Sequence, residues 1–334
     1  NVVDIEGEVA FSDDVSVTAP AAGAVGAAIN FQDSSGNLVF NAGTATNPAV
    51  VILNGGNAEG INIAGSFANT NTGEFRAEAQ VNISNMAGTG VSIIENSGPV
   101  EFNGVSVSFR GGRGVDLQRN VEDVRFNSLT SITNELLSGN SGVNIQENTG
   151  NSIFGVASVI GALGPEAAIN VEDNIGIVDF NEAGGTSFGT TFFFGDDNVA
   201  INVGGGEIEA TQGRGVTLTD NALDPVAGRM LVIFEEVSAS QSDYGIFLEN
   251  NGVDNDNGVN SAEFSVIGDS ATAGSGGTIQ LMSDAGTHAL DTGEVSLAYQ
   301  IYSQNTVGIE AFDSLDNDLH DVDSLTVDNT QVTL

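Results

Sequence analysis

Apolar and polar residues alternate in short bursts along this chain, and the bursts recur. The stretch Gly90 to Asn103, GVSIIENSGPVEFN, carries the pattern most fully. With Gly90 as the first position, Val91 and Ile93 fall at the second and fourth, Glu95 and Asn96 at the sixth and seventh, and Val100 and Phe102 at the eleventh and thirteenth. Gly114, Val115, Leu117, Arg119, Asn120, Val124 and Phe126 repeat the set. So do Gly142, Val143, Ile145, Glu147, Asn148 and Phe154, and then Ala168, Ile169, Val171, Asp173, Asn174, Val178 and Phe180. An earlier copy runs through Ala28, Ile29, Phe31, Asp33, Ser34, Leu38 and Phe40. Copies from Gly215 and Gly245 reach Phe234 and Phe264 later, through insertions near 222–229 and 252–260 that this alignment makes equal in length. Weaker copies start near Gly60, Ala200, Thr278 and Gly308.

Starts recur at roughly 28 residues, within the range of solenoid repeats. Alternation with period two (Val91, Ile93; Val100, Phe102; Val105, Val107, Phe109) predicts strands, and the Gly, Asn, Asp and Ser between them predict turns. Each repeat therefore reads as one coil of three short strands, stacked on the next by parallel pairing at about 4.8 Å. The Phe residues at the thirteenth position are expected to stack inside. The Asn residues are expected to form an amide ladder at a turn, where Asn tolerates the left-handed conformation. The fold class that follows is all-β: a single parallel β-helix over residues 1–334, of about 11–12 coils at this period, with irregular coils near 181–214.

The Asn turn, the Phe stack and the coil length resemble the right-handed parallel β-helix superfamily, which includes pectate-lyase-like enzymes, bacterial surface adhesins and autotransporter passengers. The resemblance covers most of the chain, and it is the resemblance that implies the right-handed winding.

Three stretches modify the picture. Four of the seven Arg (Arg110, Arg113, Arg119 and Arg125) fall close together. The alignment sets Arg119 between Glu95 and Glu147 of the flanking repeats and Arg125 beside Glu101, so charge pairing is expected. Phe188, Phe192, Phe193 and Phe194 cluster where the pattern breaks; alternation turns at least one of three consecutive Phe outward. The chain begins partway through a repeat, at NVVDIEGEVAF, and stops after a third strand, at Leu334, with no capping element read at either end. On that reading Asn1, Val2, Val3, Ile5, Val332 and Leu334 are the expected self-association residues, one chain's first coil continuing another's last.

Composition narrows the partners. There are 45 acidic residues against 7 basic, no Lys, no Cys, and a net charge of -38. Nucleic acid and anionic membranes need a cationic surface, so neither is an expected partner. No apolar stretch is long enough for a membrane-spanning helix, so no membrane insertion is expected. Stacked carboxylates repel, and salt or calcium would relieve them. Asp254, Asp256, Asp316, Asp318, Asp321 and Asp323 are the candidate calcium ligands, because carboxylates and turn carbonyls are hard donors; the spacing from Asp254 to Gly258 is one residue short of an EF-hand loop.

For catalysis the chain offers only His288 and His320, with no motif around either, and no Lys to act beside an acid cluster. The expected role is therefore non-enzymatic and extracellular or cell-surface: a subunit or segment of a filament, surface layer or giant adhesin, associating end to end. The competing classes are a carbohydrate-binding surface module, with Tyr244, Tyr299, Tyr302 or Phe193 as an aromatic platform for extracellular polysaccharide, and a polysaccharide lyase or glycoside hydrolase.

Overall fold

The computed structural model describes residues 2–3, 5–18, 26–44, 47–55, 59–65, 71–109, 111–134, 141–160, 169–181, 187–188, 192–194, 198, 200–204, 207–210, 214–224, 228–252, 254–255, 259–260, 262–269, 271–292, 294–297, 300–302, 307–312, 324–327 and 331–333. Among them there are strands and turns and no helix. The chain divides into two compact units, residues 1–166 and 167–334, both built from the same repeat.

In the first unit the opening strand of each repeat pairs in parallel with that of the next: Val2–Val3, Ala27–Gln32, Glu59–Ala64, Val91–Ile94, Val115–Gln118 and Val143–Gln146. Register follows the sequence alignment. Val91 faces Ile61 and Val115, and Ile93 faces Ile63 and Leu117. The second and third strands begin separately, as Val9–Phe11 and Val15–Thr18, then Leu38–Phe40 and Val50–Asn54. In later repeats they run together into single strands, Phe75–Met86, Val100–Phe109, Val124–Asn134 and Ser152–Ile160. The register slips at the same place in successive repeats, after Ala77, Phe102 and Phe126. A stacked bulge, which bends a strand without ending it, replaces the expected turn there.

Alternation puts Val100, Phe102, Val105, Val107 and Phe109 inside, all nearly fully buried. Phe102 and Phe126 stack at 5.1 Å and Phe126 and Phe154 at 4.7 Å. The repeat starting at Gly60 has Ala77 where the others have Phe. The ring of Phe75, two residues earlier and on the same face, fills the gap, 5.9 Å from Phe40 and 5.1 Å from Phe102. The first-position Gly has a packing reason: a Cβ on Gly90 would overlap the side chain of Val107 and crowd the carbonyl of Gly114.

In the second unit the three strands stay separate. The opening strands are Ile169–Glu172, Phe192–Phe194, Val216–Thr219, Tyr244–Asn251, Ala285–Thr292 and Val307–Phe312, each parallel to the next. Two expected repeat starts are wrong. Ala200 lies in a second strand, paired with Ile177, and Thr278 lies in a third strand, paired with Gln300. The true opening strands there are Phe192–Phe194 and Ala285–Thr292. Three consecutive Phe mask the alternation in the first, and in the second Thr287 and Ala289 take the inward positions that Ile246 and Leu248 fill in the preceding repeat. The insertions also differ in length. Phe264 faces Val232, and Phe234 faces Val266, so the two Phe sit two positions apart in register. Both are buried, as are Phe40, Phe102, Phe126, Phe154 and Phe180. Part of the longer insertion forms a small antiparallel pair, Asp254–Asn255 with Val259–Asn260.

The Asn ladder exists in both units, but its backbone differs from expectation. The left-handed residue is the one before the Asn: Glu95, Arg119 and Glu147 in the first unit, Asp173, Asp220 and Asn250 in the second, with φ between 52° and 56°. The outward residue takes the unusual conformation, and this aims the following Asn inward. Asn71 donates to Asn96 at 2.8 Å and Asn120 to Asn148 at 2.9 Å. Asn174, Asn198, Asn221 and Asn251 form a second chain at 2.8–2.9 Å, which ends on the hydroxyl of Thr292 at 3.3 Å. The ladder also serves the backbone. The side-chain oxygen of Asn148 accepts from the Asn120 N–H at 2.8 Å, and the Asn120 amide donates to the Ile93 carbonyl at 3.0 Å. All eight are essentially sealed from solvent, so these amides satisfy one another and the turn together.

Candidate functional site

The outward face of the opening strands carries different chemistry in the two units. In the first it is an amide and carboxylate array. Asn62 donates to Asn30 at 2.7 Å and Asn144 donates to Asp116 at 2.8 Å. Asp116 also accepts from Arg113 at 3.1 Å and from Gln118 at 2.9 Å, and only 8% of it is exposed. Burial pushes the nearby Glu59 carboxyl above its usual range, and the charge of Asp116 adds to the rise.

In the second unit the same face becomes aromatic. Register aligns Phe193, Thr217, Phe247, His288 and Glu310 across successive opening strands. Phe247 and His288 stack at 4.7 Å with planes 10° apart. Tyr244, three residues earlier in the strand of Phe247, leans against both rings at 5.2 Å. From the preceding repeat Arg214 lays its guanidinium 4.1 Å from the Phe247 ring centre and 5.3 Å from that of Tyr244. Cationic and aromatic faces attract at such distances. The edge of the same guanidinium grips Asp243 twice, with Nε 3.0 Å from Oδ1 and Nη2 on Oδ2. This pairing holds the Asp243 carboxyl well below the usual carboxylate range; Ser242 and the Tyr244 N–H add to the effect and burial opposes it. Arg214, Asp243, Tyr244, Phe247 and His288 are all partly accessible. The cluster is a fixed aromatic surface with a neutralised ion pair at its edge.

A separate hollow of about 330 Å³ lies in the first unit beside the stacked bulge, lined in part by Arg76, Glu78, Glu101, Asn103 and Asn127. Several of its polar groups are engaged. Arg76 pairs with Glu78 at 3.1 Å, Asn103 donates to the Glu78 carbonyl at 3.3 Å, and Asn127 donates to Glu101.

Of the residues singled out from sequence, Tyr244 and His288 come together in the aromatic cluster. Phe193 shares its register column. Tyr302 lies in the strand Gln300–Tyr302, and Tyr299 and His320 lie outside the described residues. Among the candidate calcium ligands, Asp254 lies in the small antiparallel pair, opposite Asn260. Asp256, Asp316, Asp318, Asp321 and Asp323 lie outside the described residues, among which no group of three or more His, Cys, Asp or Glu is arranged to hold a metal. Of the self-association residues, Val2 and Val3 pair with Phe31 and Gln32, the Ile5 carbonyl accepts from Gly36 at 2.8 Å, and Val332 pairs with Ile301. Asn1 and Leu334 lie outside the described residues. Arg119 meets Glu95 as expected. Arg125 is in register with Glu101 but turns its guanidinium to Asp123, two residues back, and Asn127 takes Glu101 instead. Arg110 lies outside the described residues.

Arg214, Asp243 and Phe247 were not found from sequence. A signal existed: Arg214 directly precedes a first-position Gly, and Phe247 holds the outward third position of its repeat. Comparison with protein families, curated proteins and solved structures finds no match to this chain.

Proposed function

We propose that this chain is a structural β-solenoid, wound as a right-handed parallel β-helix, which serves outside the cell as a subunit or segment of a filament, surface layer or adhesin. The observation that carries this reading is the Asn ladder. In each unit most successive repeats offer one another the same buried amide, with the hydroxyls of Ser34 and Thr292 in its place in two of them, and with it the same edge of strand hydrogen bonds. Such an element templates its own continuation, so stability accrues by nearest-neighbour contacts. End-to-end association extends the same logic from repeat to repeat and from chain to chain. The net charge of -38 supports a setting where salt or calcium screens the surface. Electron microscopy and light scattering of native material test the proposal. Fibres or end-joined particles are expected, and monodisperse particles of 34.1 kDa would count against it.

The aromatic cluster supports a second reading, a carbohydrate-binding surface. Rigid aromatic faces beside hydrogen-bonding side chains suit the alternating apolar and hydroxyl faces of a sugar ring. A protein whose scaffold is structural can display such a surface without being an enzyme. Screening the full chain on printed glycans tests this reading, and binding to none would refute it.

A further inference from the structure

The carbohydrate reading leaves the chemistry of the sugar open, and the geometry at Arg214 bears on it. We infer that the surface formed by Tyr244, Phe247 and His288 takes an uncharged glycan and rejects a uronate or sulfated one. The inference rests on the carbohydrate reading and goes one step beyond it.

An acidic sugar needs a cation free to meet its carboxylate or sulfate, and the cation placed at this surface is committed. Arg214 gives Nε and Nη2 to the two oxygens of Asp243, and its flat face lies on Phe247. A bidentate pair of this kind uses the directional donors that would otherwise clamp an incoming carboxylate. Asp243 in turn accepts from Ser242 at 2.8 Å and from the Tyr244 N–H at 2.9 Å, so the carboxylate is fixed as well. To free Arg214 for a ligand, the site would have to strand Asp243 without its cation.

The wider field points the same way. With 45 acids, 7 Arg and no Lys, the chain repels polyanions at long range, and a polyanionic glycan would have to approach against that field. A neutral sugar feels neither obstacle. Its ring can lie on the accessible aromatic surface, and its hydroxyls can reach the outer oxygens and nitrogens of Asp243 and Arg214 without breaking their pair. Arg214 is then a positioning residue. It holds Phe247 from the preceding repeat, while His288 holds the same ring from the following one.

Isothermal titration of the full chain tests the inference with three hexasaccharide probes: β-1,4-glucose, β-1,4-mannose and α-1,4-galacturonate, each at low and at physiological salt. At least one neutral probe is expected to bind. The galacturonate probe is expected not to bind at either salt. Tyr244→Ala is expected to weaken neutral binding at least tenfold while leaving the circular dichroism spectrum and melting midpoint in place. Arg214→Lys keeps the charge but loses the bidentate grip, and is expected to weaken neutral binding too. Galacturonate binding that Tyr244→Ala abolishes would overturn the uncharged-ligand inference and leave the carbohydrate reading intact. No binding by any probe would remove both. Neutral binding that survives Tyr244→Ala and Phe247→Ala unchanged would move the site elsewhere and overturn the assignment.

Discussion

The guanidinium Nε of Arg119 lies 3.1 Å from the carboxylate of Glu95, 24 residues earlier in the chain. Both residues hold a left-handed backbone, with φ of 52° and 55°, at the same position of successive repeats. Strand pairing alone brings them together, since Ile94 and Gln118 beside them are partners in the parallel sheet. Glu147 holds the equivalent place in the following repeat, where the Arg119 N–H donates to the Gln146 carbonyl. One Arg thus interrupts what would be three acids in a column.

Reversing that charge should be felt more than deleting it. Both partners are partly exposed, so the pair itself contributes about 1 kcal/mol or less. Arg119→Glu stacks three carboxylates at strand spacing and should lower the melting midpoint more than Arg119→Ala does. Adding Glu95→Arg to Arg119→Glu should recover most of the loss, and high salt should narrow every difference. Thermal melts of the four proteins at two ionic strengths measure this; no recovery in the double variant would contradict the register.

The Phe column should be energetically uneven. Phe126 is fully buried between Phe102 and Phe154, and Phe126→Ala is expected to cost about 3–5 kcal/mol. Phe11 stacks on Phe40 at 5.0 Å but remains 38% exposed, so Phe11→Ala should cost well under half as much. Urea unfolding of the two variants gives the ratio, and equal costs would refute the packing.

The turn separates two roles that the sequence runs together. Asn120→Ala removes a buried amide that accepts from the Asn96 N–H and donates to the Ile93 carbonyl, and it leaves the Asn148 oxygen with the Asn120 N–H but without the side-chain donor, which is expected to cost about 1–3 kcal/mol. Glu147→Gly one repeat later relieves a left-handed residue that costs other side chains about 1 kcal/mol, and should be neutral or mildly stabilising. Equilibrium unfolding distinguishes them. An Asn120→Ala protein as stable as the parent would show that the ladder contributes nothing.

Glu59 should make stability depend on pH in the direction unusual for a carboxylate. Burial and the Asp116 charge raise its folded pKa above the unfolded one. The folded state therefore holds the proton more tightly. Its contribution is full below the ordinary glutamate value, about 4.3, and is lost as pH rises through the higher folded value. At neutral pH the ionised group is a penalty. Glu59→Gln should then be more stable than the parent at pH 7, with the difference fading toward pH 4. Melts of both proteins across that range give the result, and a constant offset would point to packing instead.

Folding crowds carboxylates that the unfolded chain spreads apart, so screening should favour the folded state. Sodium chloride should raise the melting midpoint, and calcium should raise it further at matched ionic strength if carboxylates bind it directly. An unchanged midpoint under both conditions would contradict the expectation.

What the sequence determined by itself was everything that depends on near neighbours. Alternation marked Val91, Ile93, Val105 and Val107 as inward. Recurrence fixed which Asn and Phe would meet across regular repeats such as those of Gly90, Gly114 and Gly142, because equal spacing makes register a matter of counting. The tertiary structure decided what counting could not. Where loops vary in length, only pairing across the sheet sets register, and so Phe192–Phe194 and Ala285–Thr292 emerged as opening strands, with Thr292 completing an Asn ladder by its hydroxyl. The left-handed turn fell on Glu95 rather than Asn96, because the amide had to point inward to be satisfied. The surface around Arg214 was hidden for the same reason. Arg214, Phe247 and His288 belong to three different repeats, joined by insertions of unequal length, and become neighbours only when parallel strands bring them to the spacing of the sheet.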